Sequence, residues 1–262
     1  TFVQKHKEKI TDENNFMQCK GCAAKVPLNA LKKALPQEIV STSEDAVSVP
    51  NYPDLFQTVD MINSIITDPF ILGKIAANHS ISDLVSVNSQ ITSAMMILQL
   101  PFSKTEINSR DLEQVLLGAK EIFKLVDCPL IGGHTMIGKD KDPVIGFSIL
   151  GQKQKKMESI KNRRNIKTKD LLILTERIGS GLIFAGINNY LIDSYFQIDV
   201  IKQMIKGNIN FGKICNQLNI LSMTDITGFG LANHLLNLIK RDNNKTGLTI
   251  YPNKIPLFEG VN

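Results

Sequence analysis

The stretch 16–26, Phe-Met-Gln-Cys-Lys-Gly-Cys-Ala-Ala-Lys-Val, sets two thiols, Cys19 and Cys22, among Lys20, Gly21 and Lys25. A thiol reacts as its thiolate, and the neighbouring lysines supply the positive field that favours that form. Gly21 gives the backbone freedom that other residues lack, so the segment is expected to be a mobile loop. Cys-x-x-Cys alone is open to several readings: a redox dithiol, half of a zinc site, or two small buried hydrophobes. A structural zinc site needs a second ligand pair, and Cys128 and Cys215 stand too far apart to form one. Those two are expected in the core.

Carboxylates recur where strands end or loops begin. Asp45 follows Ser41-Thr42-Ser43-Glu44, Asp60 falls in a strand-like run, Asp83 on an apolar helix, and Asp225 within Thr224-Asp225-Ile226-Thr227-Gly228-Phe229-Gly230. An aspartate in such a setting is costly to bury unless it is paired or holds a metal. Magnesium uses one or two carboxylates and completes its shell with water and phosphate oxygens. Asn78, five residues before Asp83, could add a carbonyl oxygen. The plainer reading is that each aspartate caps a helix or pairs with a lysine.

Three glycine-rich stretches accompany the acids. Gly132-Gly133-His134-Thr135 reads as a tight turn after Pro129-Leu130-Ile131, with backbone N–H groups that could face an anion. Gly179-x-Gly181 and Gly228-x-Gly230 each precede a helix, whose free N–H groups and dipole favour phosphate. None fits the P-loop or the G-x-G-x-x-G pattern. Each alone could be plain turn chemistry.

Elements must hold these residues in place. A short helix is expected over 27–35, strands over 45–49 and 55–62 around the turn 50–53, and a helix opened by Asp68-Pro69. That helix carries Leu72, Ile75, Ala76, Ile81 and Leu84 on its apolar side. A strand over 93–100, a helix over 110–126 led in by Ser109, and a strand over 144–150 follow. A second unit offers a strand at 171–174, a helix from Gly179 to about 190, two helices within 199–218, a helix over 231–240 and a strand over 248–251. The pattern is an α/β (α+β) chain with mixed sheets and flanking helices.

The expected organisation is a disordered tether or fusion junction at 1–15, an N-terminal domain at 16–152, a basic linker at 153–169 and an incomplete C-terminal domain at 170–262. With 262 residues, 43% hydrophobic and 21% charged, the composition is that of a globular protein with a sizeable core. No apolar run reaches the length of a membrane span, which argues against a membrane partner. The net charge is +5, but much of the positive charge lies in 153–169 without interleaved aromatics, so a solvated linker is expected rather than a nucleic-acid site. Four cysteines without extracellular signals point to a reducing, cytoplasmic setting.

Taken in order, Gly21-Cys22-Ala23-Ala24-Lys25, Ser43-Glu44-Asp45-Ala46-Val47, Thr58-Val59-Asp60, Asp68-Pro69-Phe70, Gly73-Lys74-Ile75-Ala76-Ala77-Asn78, Ser82-Asp83, Gly132-Gly133-His134-Thr135, 175–181 and 224–230 resemble selenophosphate synthetase (selenide, water dikinase), of the aminoimidazole ribonucleotide synthetase superfamily. The resemblance runs from about Cys22 to the end of the chain. It implies a two-domain aminoimidazole ribonucleotide synthetase-like fold, and synthesis of selenophosphate from selenide, ATP and water with release of AMP and phosphate. By similarity, Cys22 would handle selenium or assist its attack, and Lys25 would contact the phosphates. Asp45, Asp83 and Asp225 would hold Mg2+, and Asp60 and Asp83 would help bind the nucleotide. Thr42, Ser43, Glu44, Gly133, His134 and Thr135 would line the ATP site. A homodimer built through the N-terminal strands is implied, and some relatives are fused behind a flavin-dependent NADH dehydrogenase-like domain. The chain opens at Thr1, and residues 1–15 would suit such a junction.

Two departures stand out. The family usually has two adjacent aspartates where Glu44-Asp45 stand, and often Met-Gly-Gly where Val87-Asn88-Ser89 lie. These leave an alternative of another class, a non-catalytic nucleotide-binding or regulatory module of a larger fusion protein. Within enzymes the alternative is a superfamily relative phosphorylating another acceptor. A redox dithiol protein using Cys19 and Cys22 would need a strand–loop–helix context that this stretch lacks.

Overall fold

The computed structural model describes residues 25–26, 30, 33–35, 45–154, 166, 169–218, 220, 222–240 and 247–261. The tether, most of the first helix and most of the basic linker lie outside these residues. Strands β1 (Val47–Val49) and β2 (Tyr52–Asn63) form a hairpin, turned by Asn51 at φ 66°. Then come helix α1 (Pro69–Ser86), β3 (Ser89–Pro101), α2 (Thr105–Lys124), β4 (Leu130–Gly138) and β5 (Val144–Lys153). The five strands form one sheet in the order β1-β2-β5-β3-β4. All neighbours are antiparallel except β3 and β4, which run parallel because α2 carries the chain across between them.

Helix α1 is the hub of the core. Asp68 caps it by accepting a hydrogen bond from the Ile71 N–H at 3.0 Å, and Pro69 fills the first turn where no donor is needed. Its apolar residues Leu72, Ile75, Ala76, Ile81 and Leu84 are all buried as the spacing predicts, between the sheet and neighbouring helices. Helix α2 packs on it very closely. A Cβ on Gly73 would lie 2.2 Å from the Val115 carbonyl oxygen, and one on Gly118 would lie 1.9 Å from that of Phe70. Phe123 and Phe147 meet edge to face beneath, with centroids 5.0 Å apart.

The second half contributes α3 (Ser180–Asn188), α4 (Gln197–Lys206), α5 (Ile209–Gln217) and α6 (Gly230–Lys240). Ile183, Phe184, Val200 and Phe258 form a small cluster of their own. Ile65, Ile201 and Met204 pack against both that cluster and the main core.

Several expectations change. Helix α2 starts at Thr105 rather than residue 110, so Ser109 is inside it. Its first two turns carry only one apolar residue, Ile107, so the apolar periodicity begins later. Gly132–Thr135 is strand rather than turn: it lies within β4, pairing with Met95–Leu98 of β3. Glycine suits this close approach, since a Cβ on Gly133 would lie 2.2 Å from the Met96 carbonyl oxygen. Residues 171–174 and 248–251 have strand-like composition but form no strand. Leu171 and Ile173 are 89% and 78% exposed. An apolar run becomes a strand only when a neighbouring edge supplies hydrogen bonds, and among the described residues this region has only the isolated bridge Ile178–Leu257. Cys128 is buried and its thiol is pushed up to about 11 by burial, whereas Cys215 is only partly buried. Asn88, where a glycine was expected from the family pattern, takes the left-handed φ of 57° that asparagine tolerates.

Candidate active site

Four residues of α1, His79, Ser82, Asp83 and Ser86, fall at helical spacings of three and four and so form one stripe. Three separate segments converge on that stripe. From β2, Thr58 and Asp60 point to the same face of the sheet because side chains alternate along a strand. The Thr58 hydroxyl donates to Asp83 Oδ2 at 2.5 Å. Asp45, just before β1, accepts from Ser86 Oγ at 2.8 Å. Asp225 accepts from Ser82 Oγ, a buried contact between residues 143 apart in sequence.

Asp60 has a lysine and a histidine beside it. Lys25 Nζ lies 3.7 Å from Oδ1, and His79 Nε2 lies 3.4 Å from Oδ2. The Lys25 ammonium also sits over the Phe229 ring, 5.2 Å from its centroid. The 224–230 segment is braced by His234 on α6. Its Nδ1 lies 3.3 Å from Thr224 Oγ1, and its Nε2 accepts from the Thr227 N–H at 3.3 Å, with Thr227 Oγ1 also 3.3 Å away. Thr224 Oγ1 in turn lies 3.2 Å from Asp45 Oδ1.

Burial and crowding shape the charge of this cluster. Burial pushes Asp83 up to about 9, with Asp225 and Asp60 adding to the shift and the Thr58 hydrogen bond opposing it. Asp225 is raised to about 6 by burial and then by Asp45, against the Ser82 hydrogen bond. Burial lowers His79 despite the opposing pull of Asp60 and Asp225. Asp225 Oδ1 is buried with no hydrogen-bond partner. Oxygens of Asp45 and Asp225 and a nitrogen of His234 lie within 4.8 Å of one another. Crowded, desolvated carboxylates with an orphaned oxygen fit a hard divalent cation, and Asp45 and Asp225 are the carboxylates whose oxygens stand close enough to share one.

The structure therefore brings together Lys25, Asp45, Asp60, Asp83 and Asp225. Cys22, Thr42, Ser43 and Glu44 lie outside the described residues. Gly133, His134 and Thr135 lie on β4 at the sheet edge, three strands and roughly 14 Å from Asp60 by strand spacing. Asn78 does not add an oxygen to the site: its Nδ2 donates to the Met204 and Ile205 carbonyls of α4 at 3.1 and 2.6 Å. Sequence reading missed His79 and His234. Counting back four residues from Asp83 along an apolar helix finds His79, but nothing local marks His234.

Comparison with known proteins follows the same lines. Residues 43–152 match the family described as AIR synthase related protein, N-terminal domain. The selenide, water dikinase of Aliarcobacter butzleri (strain RM4018) is 32% identical over 255 residues, covering 93% of this chain and 71% of that protein. That of Clostridioides difficile (strain 630) is 28% identical over 273 residues, covering 99% and 75%. Among solved structures, AaThiL complexed with AMPPCP and TMP superposes with a TM-score of 0.62 at 18% identity, covering 84% of this chain and 73% of that one. The HypE–HypF complex gives 0.61 at 18% identity, covering 89% and 75%. These two show a shared fold.

Proposed function

Because the chain belongs to the selenide, water dikinase family, an enzyme family that uses ATP as a phosphotransferase, we propose that it makes selenophosphate from selenide, ATP and water and releases AMP and phosphate. The observation that carries this reading is the convergence of Asp45, Asp60, Asp83 and Asp225 with Lys25 on one stripe of α1.

Phosphoryl transfer asks chiefly for positioning and charge neutralisation. Bound Mg2+ would supply neutralisation of the phosphate oxygens, with Asp45, Asp83 and Asp225 as its holders. Lys25 brings a positive charge to the same place, beside Asp60 and over Phe229. Asp60, with Lys25 beside it, and Asp83 would serve the nucleotide. Cys22 would act at selenium, and Thr42, Ser43 and Glu44 would line the ATP site, as the family resemblance implies. Selenide is ionised and nucleophilic near neutral pH, so its attack needs no strong general base.

A homodimer would reconcile two parts of this reading. The outer face of the sheet exposes Val59, Met61 and Met95, and edge strand β4 exposes Ile131, Met136 and Ile137. A second copy laid on this face would cover the apolar patch, and the Gly133, His134 and Thr135 that the resemblance gives to the ATP site stand on the edge strand beside it. The division into domains at 16–152 and 170–262 joined by a basic linker belongs to the same proposal, as does fusion to a flavin-dependent NADH dehydrogenase-like domain.

The test is anaerobic incubation with ATP, Mg2+ and selenide, with AMP quantified and phosphorus–selenium coupling sought by NMR. Selenide-dependent AMP and a coupled signal are expected, both lost in Cys22→Ser and Asp45→Ala. AMP formation that ignores selenide would sink the assignment.

A further inference from the structure

We propose that His234 is a positioning residue: it fixes the Thr224 hydroxyl as a hydrogen-bond donor to Asp45 and so orients that carboxylate for a divalent cation. This rests on the reading above in which Asp45 helps hold the cation. A backbone N–H can only donate, so the Thr227 N–H at 3.3 Å identifies Nε2 as the bare nitrogen of the buried His234 ring. Nδ1 therefore carries the proton and gives it to Thr224 Oγ1, 3.3 Å away. With a lone pair thus engaged, Thr224 has one proton to place and two acceptors at 3.2 Å, Asp45 Oδ1 and the Asp225 carbonyl. The anionic oxygen is the stronger acceptor. Ser86 Oγ holds the other oxygen of Asp45 at 2.8 Å, so the carboxylate is gripped at both ends.

The same geometry decides what His234 does not do. A nitrogen of the ring lies near the oxygens of Asp45 and Asp225, as in a three-ligand metal set. Its one available lone pair, however, already accepts from the Thr227 N–H, so the imidazole acts through Thr224 rather than on the cation. The ring also spans from residue 224 to residue 227, which locks the turn carrying Asp225.

The test titrates nucleotide-free protein with Mg2+ and reads the thermal shift, with no turnover involved. His234→Leu and Thr224→Val should each weaken Mg2+ by about 10-fold, the scale found when groups that orient metal ligands are removed. The double variant should be no weaker than either single one. His234→Asn, whose amide N–H stands where Nδ1–H stood, should recover most of the loss. Thr224→Val is nearly isosteric and keeps the test open should His234→Leu fail to fold. Thr224→Val binding Mg2+ like the wild type, losses that multiply in the double variant, or His234→Asn as weak as His234→Leu would each overturn the proposal. Asp45→Asn serves as the separating control. If it abolishes Mg2+ binding while Thr224→Val does nothing, only the positioning role falls. If it leaves binding intact, the cation reading falls and takes the proposal with it.

Discussion

Asp83 shows how single residues carry the tension of this site. Its carboxyl is raised to about 9, far above the ordinary 3.8, because it is buried beside Asp225 and Asp60. The folded protein therefore binds this proton more tightly than the unfolded chain. The associated stability is full below about pH 4 and is lost as pH climbs toward 9. Asp225 acts in the same direction between 3.8 and about 6. Cation-free protein should accordingly lose about 5 °C or more of melting temperature between pH 5 and pH 8, measurable by calorimetry in chelator. Mg2+ should restore more at pH 8 than at pH 5. Asp83→Asn, a neutral isostere, should flatten this pH dependence and still lower selenide-dependent AMP formation about 100-fold or more. A variant with the wild-type pH slope would show that Asp83 is not its source. Asp60 and Asp83 were legible in the sequence because an acid in a strand or apolar helix is out of place. His234 was not, since its role depends on residues brought to it by a turn.

At the scale of elements, α1 combines packing and chemistry in one helix that is buried on nearly every side. Its cap and apolar spacing were readable, because Asp68-Pro69 and the buried positions state the same register. Its partnership with α2 was not, since a glycine in a helix does not say which backbone will approach it. Gly118→Ala would thrust a methyl into the Phe70 carbonyl. It should cost about 1–3 kcal/mol, read as a lower urea midpoint with unchanged slope. Asn78→Ala removes both ties to the α4 carbonyls and should cost about 1–3 kcal/mol as those part-buried acceptors lose their partner. An Asn78→Ala midpoint equal to the wild type would mean that water replaces the amide. Strand-like composition at 171–174 and 248–251 misled for the complementary reason: pairing is a property of two segments, and composition reports on one.

For the whole molecule, the sheet presents its apolar outer face and an exposed edge on the side away from α1. If a second copy covers this face, Met61→Lys combined with Met95→Lys should convert a dimer to a monomer in light scattering. The same change should reduce activity although neither residue touches the acidic cluster. A wild-type chain that is already monomeric at micromolar concentration would rule this assembly out. Mixed α/β character was readable from the alternation of segments, while the order β1-β2-β5-β3-β4 was not, because β5 inserts between strands that precede it in sequence.

The bond from Ser82 to Asp225 spans 143 residues, whereas Asp45, Asp60 and Asp83 are made almost together. A ribosome adding roughly 5–20 residues per second takes on the order of 10–30 s to travel from one partner to the other. During that interval the nascent sheet and α1 can settle with three carboxylates and without the repulsion of the fourth. The acidic cluster is thus timed by chain order: its fourth carboxylate arrives only when the distal half has been made and has docked.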